Sequence, residues 1–294
     1  MLALRDRVAA FHAAFPQVEA HGGGLVCKPD ATGGYDRVQG VWLGGQDYRN
    51  ASGLYGSYPP YFLPRIFAMF PDAQRVLHLF SGSLTKEQVE DARARMAAQL
   101  EPKIRQGLFF RDFNAPAISP PSVLQLRFDN GRHPAAKAAK PDVIGDAEKL
   151  GEILSTLVRV DLIIADPPYR LADQRRYWRE SMHAIEDRCG ICNQHAALHR
   201  AVYSKTSKEG RLMKDFDGFA HEFRADGYVR FRPLKKKVVI EQCAQVLRPG
   251  GHLVWLDESW PMHNKETQFR TVGVIAIVRS TNHRVRAAFI LERV

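Results

Sequence analysis

From residue 62 onward, short β-branched and leucine-rich runs alternate with helical stretches. No other feature of the chain constrains its fold as much. The apolar runs lie at 75–80 (RVLHLF), 123–128 (VLQLRF), 142–144 (DVI), 160–165 (VDLIIA) and 252–256 (HLVWL). Residues 85–100, 147–157 and 238–247 carry helical spacing between them. Strands joined by helix-length crossovers pair in parallel, and the crossover helices cover both faces of the sheet. The expected class is therefore α/β. The last part of the chain breaks the alternation. Residues 272–278 and 285–291 are strand-like runs around a Ser-Thr-Asn-His turn, so an antiparallel hairpin is expected to close the sheet.

Three stretches stand outside this pattern. Residues 2–15 read as an amphipathic helix stopped by Pro16, and 21–61 as glycine-rich and aromatic loops with short strands. Residues 101–122 hold four prolines and read as a surface insertion. Residues 170–237 number 68, where a loop and a helix would suffice, and segments of that size are usually functional or independently structured. With 45% hydrophobic residues the chain can build a sizeable core, which excludes the disordered class for most of its length. No stretch approaches the roughly 18 apolar residues of a membrane span, and four cysteines make no disulfide scaffold. The expectation is a cytoplasmic protein with reduced thiols and no membrane partner.

The formal charge is +10, from 42 Lys+Arg against 32 Asp+Glu. Residues 170–237 contain 16 Lys+Arg and 9 Asp+Glu, so seven of the ten excess charges fall there. Aromatic residues are interleaved with them. Such a segment can neutralise phosphates and stack on bases. Arg175, Arg176, Lys205, Lys208, Arg211, Lys235, Lys236 and Lys237 are the candidate nucleic-acid contacts. The plainer reading is a solvated basic subdomain with its own small core.

The most specific signal is Asp166-Pro167-Pro168-Tyr169, directly after the buried run 160–165. The carboxyl end of a parallel strand is where open α/β sheets hold ligands. Two prolines stiffen the backbone and remove N–H donors, which leaves carbonyls free to accept. Asp166 adds a carboxylate acceptor and Tyr169 a flat ring. Acceptors beside a ring suit an exocyclic amine on a nucleobase; a rigid turn that ends a strand is the alternative.

These four residues resemble the catalytic D-P-P-Y motif of the S-adenosylmethionine-dependent amino-methyltransferases, which methylate N6 of adenine or N4 of cytosine in DNA. Leu79-Phe80-Ser81-Gly82-Ser83 resembles the family's F-x-G-x-G cofactor loop, with Ser83 in place of the second glycine. Asp129, at the end of the second run, corresponds to the family's ribose-holding acid. It lies 47 residues after Gly82, against about 20 in dinucleotide folds. Asp146 matches the acid at the cofactor's adenine, or caps the following helix. Tyr58, Pro59 and Tyr61 match a proline-bearing loop at the cofactor's carboxylate end, and Asp166 itself counts among the cofactor-facing residues. Arg248-Pro249-Gly250-Gly251 resembles the structural turn before the fifth strand.

The resemblance implies a class I, Rossmann-like methyltransferase fold with a mostly parallel seven-stranded sheet and the C-terminal hairpin, similar to small phage-type adenine methyltransferases. It divides the chain into an N-terminal extension, 1–55, and a methyltransferase domain, 56–294, with inserts at 85–122 and 170–237. The implied cofactor is S-adenosylmethionine. The implied partner is double-stranded DNA, from which adenine is flipped out for N6 methylation. A homodimer is compatible with this. The alternatives are an RNA base-amine methyltransferase, or a non-catalytic nucleic-acid-binding protein on the same fold.

Cys189, Cys192, His195 and His199 offer four zinc ligands within eleven residues. The two-residue spacer between the pairs is short against the usual dozen, so a structural zinc is not the favoured reading. Reduced cysteines and helix histidines are. Cys27 and Cys243 read as small buried hydrophobes.

Overall fold

The innermost apolar runs form strands because they can bury both faces. In a computed structural model the run VDLIIA is a strand whose six residues are all buried, and it lies in the interior of a nine-stranded sheet. The structure describes residues 2–16, 24–29, 36–44, 58, 62–105, 124–130, 134–154, 159–168, 171, 174, 222–224, 227–229, 233–261, 268–279 and 285–294. Two units are present. The larger comprises Met1–Gly131, Ala135–Pro167 and Lys235–Val294; the smaller comprises Arg132–Pro134 and Pro168–Leu234.

The larger unit contains α1 (Leu4–Ala14), β1 (Leu25–Pro29), β2 (Asp36–Gly44), α2 (Phe62–Met69), β3 (Arg75–Leu79), α3 (Lys86–Arg105) and β4 (Leu124–Asp129). It continues with α4 (Pro134–Ala139), β5 (Val143–Ile144), a short helical turn (Ala147–Lys149), α5 (Leu150–Leu154) and β6 (Val160–Ala165). In the smaller unit β7 (Glu222–Arg224) and β8 (Gly227–Val229) form an antiparallel pair. The larger unit then resumes with α6 (Lys236–Val246), β9 (Leu247–Asp257), β10 (Phe269–Arg279) and β11 (Val285–Arg293).

The sheet order is β1-β2-β10-β11-β9-β6-β3-β4-β5. Strands β5, β4, β3, β6 and β9 are parallel neighbours, while β11 is antiparallel to both β9 and β10. The chain moves outward from β3 to β4 and β5, then returns to the other side of β3 as β6. This is a doubly wound, Rossmann-like sheet, and its order reverses between β3 and β6.

The expected strand count and the place of the hairpin need correction. The sheet has nine strands rather than seven, because part of the glycine-rich N-terminal stretch joins it. Strand β2 runs parallel to β10 from Val38 to Gly44 and carries β1 on its outer side. The buried Trp42 indole stacks on Phe11 of α1 at 5.5 Å, which gives β2 a core face that local sequence does not reveal. The hairpin therefore does not close the sheet: β11 inserts between β9 and β10, and β2 covers β10. The helical stretch expected at 85–100 is the crossover helix α3, which runs on to Arg105, into the stretch read as a surface insertion. Its start is a reciprocal cap, with Gln88 N–H donating to Thr85 Oγ1 at 3.3 Å and Thr85 N–H to Gln88 Oε1 at 3.0 Å. Residues 106–123 lie outside the described residues.

A buried ion pair anchors α1. Arg7, 1% exposed, reaches Asp72 through two bonds of 2.6 and 3.1 Å, donates to the Met69 carbonyl and lies 4.7 Å over the Phe70 ring. The Leu2 N–H also donates to Asp72. Removing the carboxylate strands a buried guanidinium. Asp72→Ala is expected to cost about 3 kcal/mol in urea unfolding, more than Arg7→Met, which removes the charge itself. An Asp72→Ala chain within about 1 kcal/mol of wild type would show that the pair is not needed.

Candidate active site

The reversal point of the sheet is built from the ends of β3 and β6. Leu79 and Ala165 are paired across the two strands, so Phe80 and Asp166 leave the sheet side by side. Ligand crevices of open α/β sheets form at this point.

After Leu79 the backbone turns sharply. Phe80 has φ 60° and Gly82 φ 51°, both left-handed, which glycine tolerates and phenylalanine adopts only under constraint. The constraint comes from β4. Ser81 N–H donates to the Phe128 carbonyl at 3.1 Å, and Gly82 N–H to Asp129 Oδ2 at 3.0 Å. Leu84 N–H closes the turn on the Ser81 carbonyl at 2.8 Å. The Phe80 ring meets buried Trp255 edge-on, 6.4 Å between centroids. Ser81 and Ser83 are 1% and 4% exposed, and neither Oγ has a hydrogen-bond partner among the described residues. Orphaned polar atoms and left-handed backbone on one short turn are the signature of a ligand-binding segment.

Asp166 follows β6 and is buried, as is Pro167; Pro168 is half-buried. In the smaller unit, Pro168 accepts from Gln174 Nε2 at 3.4 Å. Beside Asp166 lies Tyr58. Its hydroxyl donates to the Ile164 carbonyl at 3.0 Å, and its ring stacks on Phe62 at 5.5 Å. Burial pushes the Tyr58 phenol well above its usual range, and the Asp166 charge adds to the shift. The phenol is thus a neutral donor committed to β6, while the residue as a whole is half-buried.

Asp129 and Asp146 part ways. Asp129 is half-buried at the end of β4 and grips the turn through the Gly82 amide. Asp146 accepts from Glu148 N–H at 2.9 Å and caps the turn Ala147–Lys149. Capping, one of its two expected roles, is the one the geometry displays.

The basic candidates at the start of α6 also divide. Lys236 Nζ lies 2.6 Å from Asp257 Oδ2, and Asp257 is 1% exposed. Lys236, a candidate phosphate contact, has its ammonium against this buried carboxylate and offsets the cost of holding that charge inside. Lys237 faces Glu241 at 3.8 Å, one helical turn on, and Lys235 is exposed. Tyr169, Pro59, Tyr61, Arg175, Arg176, Lys205, Lys208, Arg211 and the cluster Cys189, Cys192, His195 and His199 lie outside the described residues. Among the described residues no group of three or more metal-ligating side chains occurs, and no helix is long and apolar enough to cross a membrane. Cys243 is buried and Cys27 half-buried; both are free thiols.

Sequence reasoning missed His78, Gln125 and Asp257. His78 is fully buried on β3, with Nε2 2.7 Å from Gln125 Oε1 and Nδ1 3.4 Å from the Tyr58 hydroxyl. Burial lowers its pKa to about 4, so it is neutral at physiological pH. Asp257 accepts from Lys236, from Trp255 Nε1 at 3.1 Å, and from the Glu258 and Ser259 amides and the Ser259 hydroxyl. It thereby fixes the indole behind Phe80. The one available signal was a polar residue inside an otherwise apolar strand or at its end.

No protein-family model matches the chain, and no curated protein matches it. Among solved structures, TrmN from Thermus thermophilus aligns with TM-score 0.34 and 15% identity over 80% of this chain and 49% of its own. SMU.776, a candidate methyltransferase complexed with SAH, aligns with TM-score 0.31 and 12% identity over 99% of this chain and 82% of its own. The chain thus spans about half the length of TrmN. At these values the alignments add nothing to what the strand order shows alone.

Proposed function

We propose that the chain is an S-adenosylmethionine-dependent methyltransferase that acts on the exocyclic N6 amine of adenine in DNA. The observation that carries this reading is the Leu79–Ala165 pairing, which sets the Phe80 turn beside Asp166-Pro167 at the reversal point of a doubly wound sheet. A turn with two orphaned hydroxyls and two left-handed residues fits a polar ligand, and the neighbouring acidic, donor-poor strand end fits an amine.

The turn residues Phe80, Ser81, Gly82 and Ser83 would hold the cofactor, with Tyr58 and Asp129 supporting that pocket from its two sides. S-adenosylmethionine supplies an electrophilic sulfonium methyl. Asp166 and the Pro167 carbonyl would accept hydrogen bonds from the two amine hydrogens and turn the nitrogen lone pair toward the methyl, and the one proton that the methylated nitrogen sheds would pass to the Asp166 carboxylate. Because burial keeps water from Asp166, its acceptor strength is not diluted by solvent. Positioning and preorganised acceptors account for the rate, and no strong base is required. Tyr169 stacks on the extruded base. Residues 170–237, with most of the excess charge, grip phosphates.

The test has two arms on the full chain. Calorimetry with S-adenosylhomocysteine is expected to show one site per chain, and labelled methyl is expected to pass to duplex DNA in preference to structured RNA. Transfer to RNA alone would overturn the DNA assignment. Absence of any cofactor binding would overturn the enzyme reading and favour a non-catalytic nucleic-acid-binding protein.

A further inference from the structure

Three consecutive residues of β4 hold the Phe80 turn. Phe128 accepts from Ser81 N–H and Asp129 from Gly82 N–H, while Arg127 Nη1 donates to the Leu84 carbonyl at 3.3 Å. Arg127 is 6% exposed and every guanidinium nitrogen is engaged. Nε and Nη2 take both oxygens of Asp142 at 3.0 Å each, Nη1 also reaches the Ala139 carbonyl at 2.9 Å, and Nη2 the Lys140 carbonyl at 2.8 Å. The Arg127 amide donates to Asp142 as well. Burial would raise the Asp142 carboxyl, but the hydrogen bonds and charge of Arg127 outweigh it and hold the group below its usual range. One planar cation therefore ties the exit of the turn to the end of α4 and the start of β5. A lysine ammonium offers three donors and no fork, so it cannot span these partners.

We infer that Arg127, clamped by Asp142, is a positioning residue for the cofactor: it fixes the exit of the Phe80 turn at the Leu84 carbonyl without touching the ligand. The inference rests on the cofactor reading above. A buried arginine could serve stability alone, so the test separates affinity from stability. Arg127→Lys and Asp142→Asn, each in the full chain, are titrated with S-adenosylhomocysteine at 10 °C after circular dichroism has confirmed folding. Both variants are expected to bind about five- to tenfold more weakly than wild type. A purely structural role lowers the unfolding midpoint and leaves the affinity of the folded protein unchanged. Amide exchange in the unaltered chain gives a second readout, in which Ser81 and Gly82 are expected to be protected like strand amides. Folded variants that bind within twofold of wild type overturn the inference. So do Ser81 and Gly82 amides that exchange like an open loop, a result that decides the matter even if neither variant folds. A wild-type chain that binds no S-adenosylhomocysteine removes the cofactor reading first and the inference with it.

Discussion

Methyl transfer by an Asp166→Asn chain is expected to fall by about 10²–10³, while cofactor affinity changes no more than about threefold. Asparagine has the shape of aspartate, so packing at the end of β6 survives. What changes is the hydrogen-bond inventory. An ionised carboxylate only accepts, whereas the amide presents a donor on one of its two positions. An incoming amine brings two hydrogens, and a facing N–H donor misorients it. Asp166 is 7% exposed, so water cannot repair the mismatch. Asp166→Ala removes the acceptor altogether and is expected to lose at least as much. The split matters: an effect confined to turnover assigns Asp166 to the amine, whereas an equal rise in cofactor Kd would assign it to the cofactor pocket. An Asp166→Ala chain that transfers labelled methyl at the wild-type rate would remove this site from consideration.

The strands that position this site were readable because their burial is local. The run at 160–165 became β6 with the same bounds, and 75–80 became β3 ending one residue earlier. The missing residue is Phe80, whose left-handed backbone is imposed by bonds to β4, nearly fifty positions away in sequence. No propensity scale encodes that. The N-terminal strands were obscured for a related reason. The segment DRVQGVWLG is weakly patterned by itself and becomes a strand through its pairing with β10, more than two hundred residues later.

Charge was the least transparent signal. Lys235, Lys236 and Lys237 form an uninterrupted cationic run, yet the middle one belongs to a buried aspartate 21 residues away. Asp129 kept its expected place at a strand end but spends one carboxylate oxygen on the Gly82 amide. Residue identity at a strand end is thus legible from sequence. The partner of each polar atom is not, because partners are chosen by tertiary distance.

Stability is expected to fall as pH drops from about 6.5 to 4, through two buried histidines. Burial is the main cause that holds His78 at about 4. It likewise holds His252 at about 3, with the positive charge of Arg7 next and Asp72 partly opposing. Both folded values lie below the unfolded value of about 6.5. Between these limits the unfolded chain binds protons that the folded chain refuses, so stability rises with pH across the window and is flat above about 7. Each histidine contributes about 1.4 kcal/mol per pH unit, and at pH 5 the two together cost on the order of 4 kcal/mol. That is a large part of the roughly 5–15 kcal/mol that holds a domain folded. Asp72 acts in a separate window. Its carboxyl lies below the usual range because the Arg7 bonds and charge overcome the raising effect of burial. Its contribution is therefore present above the unfolded value and disappears only at still lower pH. Urea unfolding at pH 7.5, 6 and 5 reads the histidine slope directly. His252→Leu, which replaces a ring 5.1 Å from Phe70 and an Nδ1 without a partner among the described residues with a hydrocarbon, is expected to remove about half of it. Equal stability at pH 5 and 7.5 would mean that neither imidazole is held neutral in the fold.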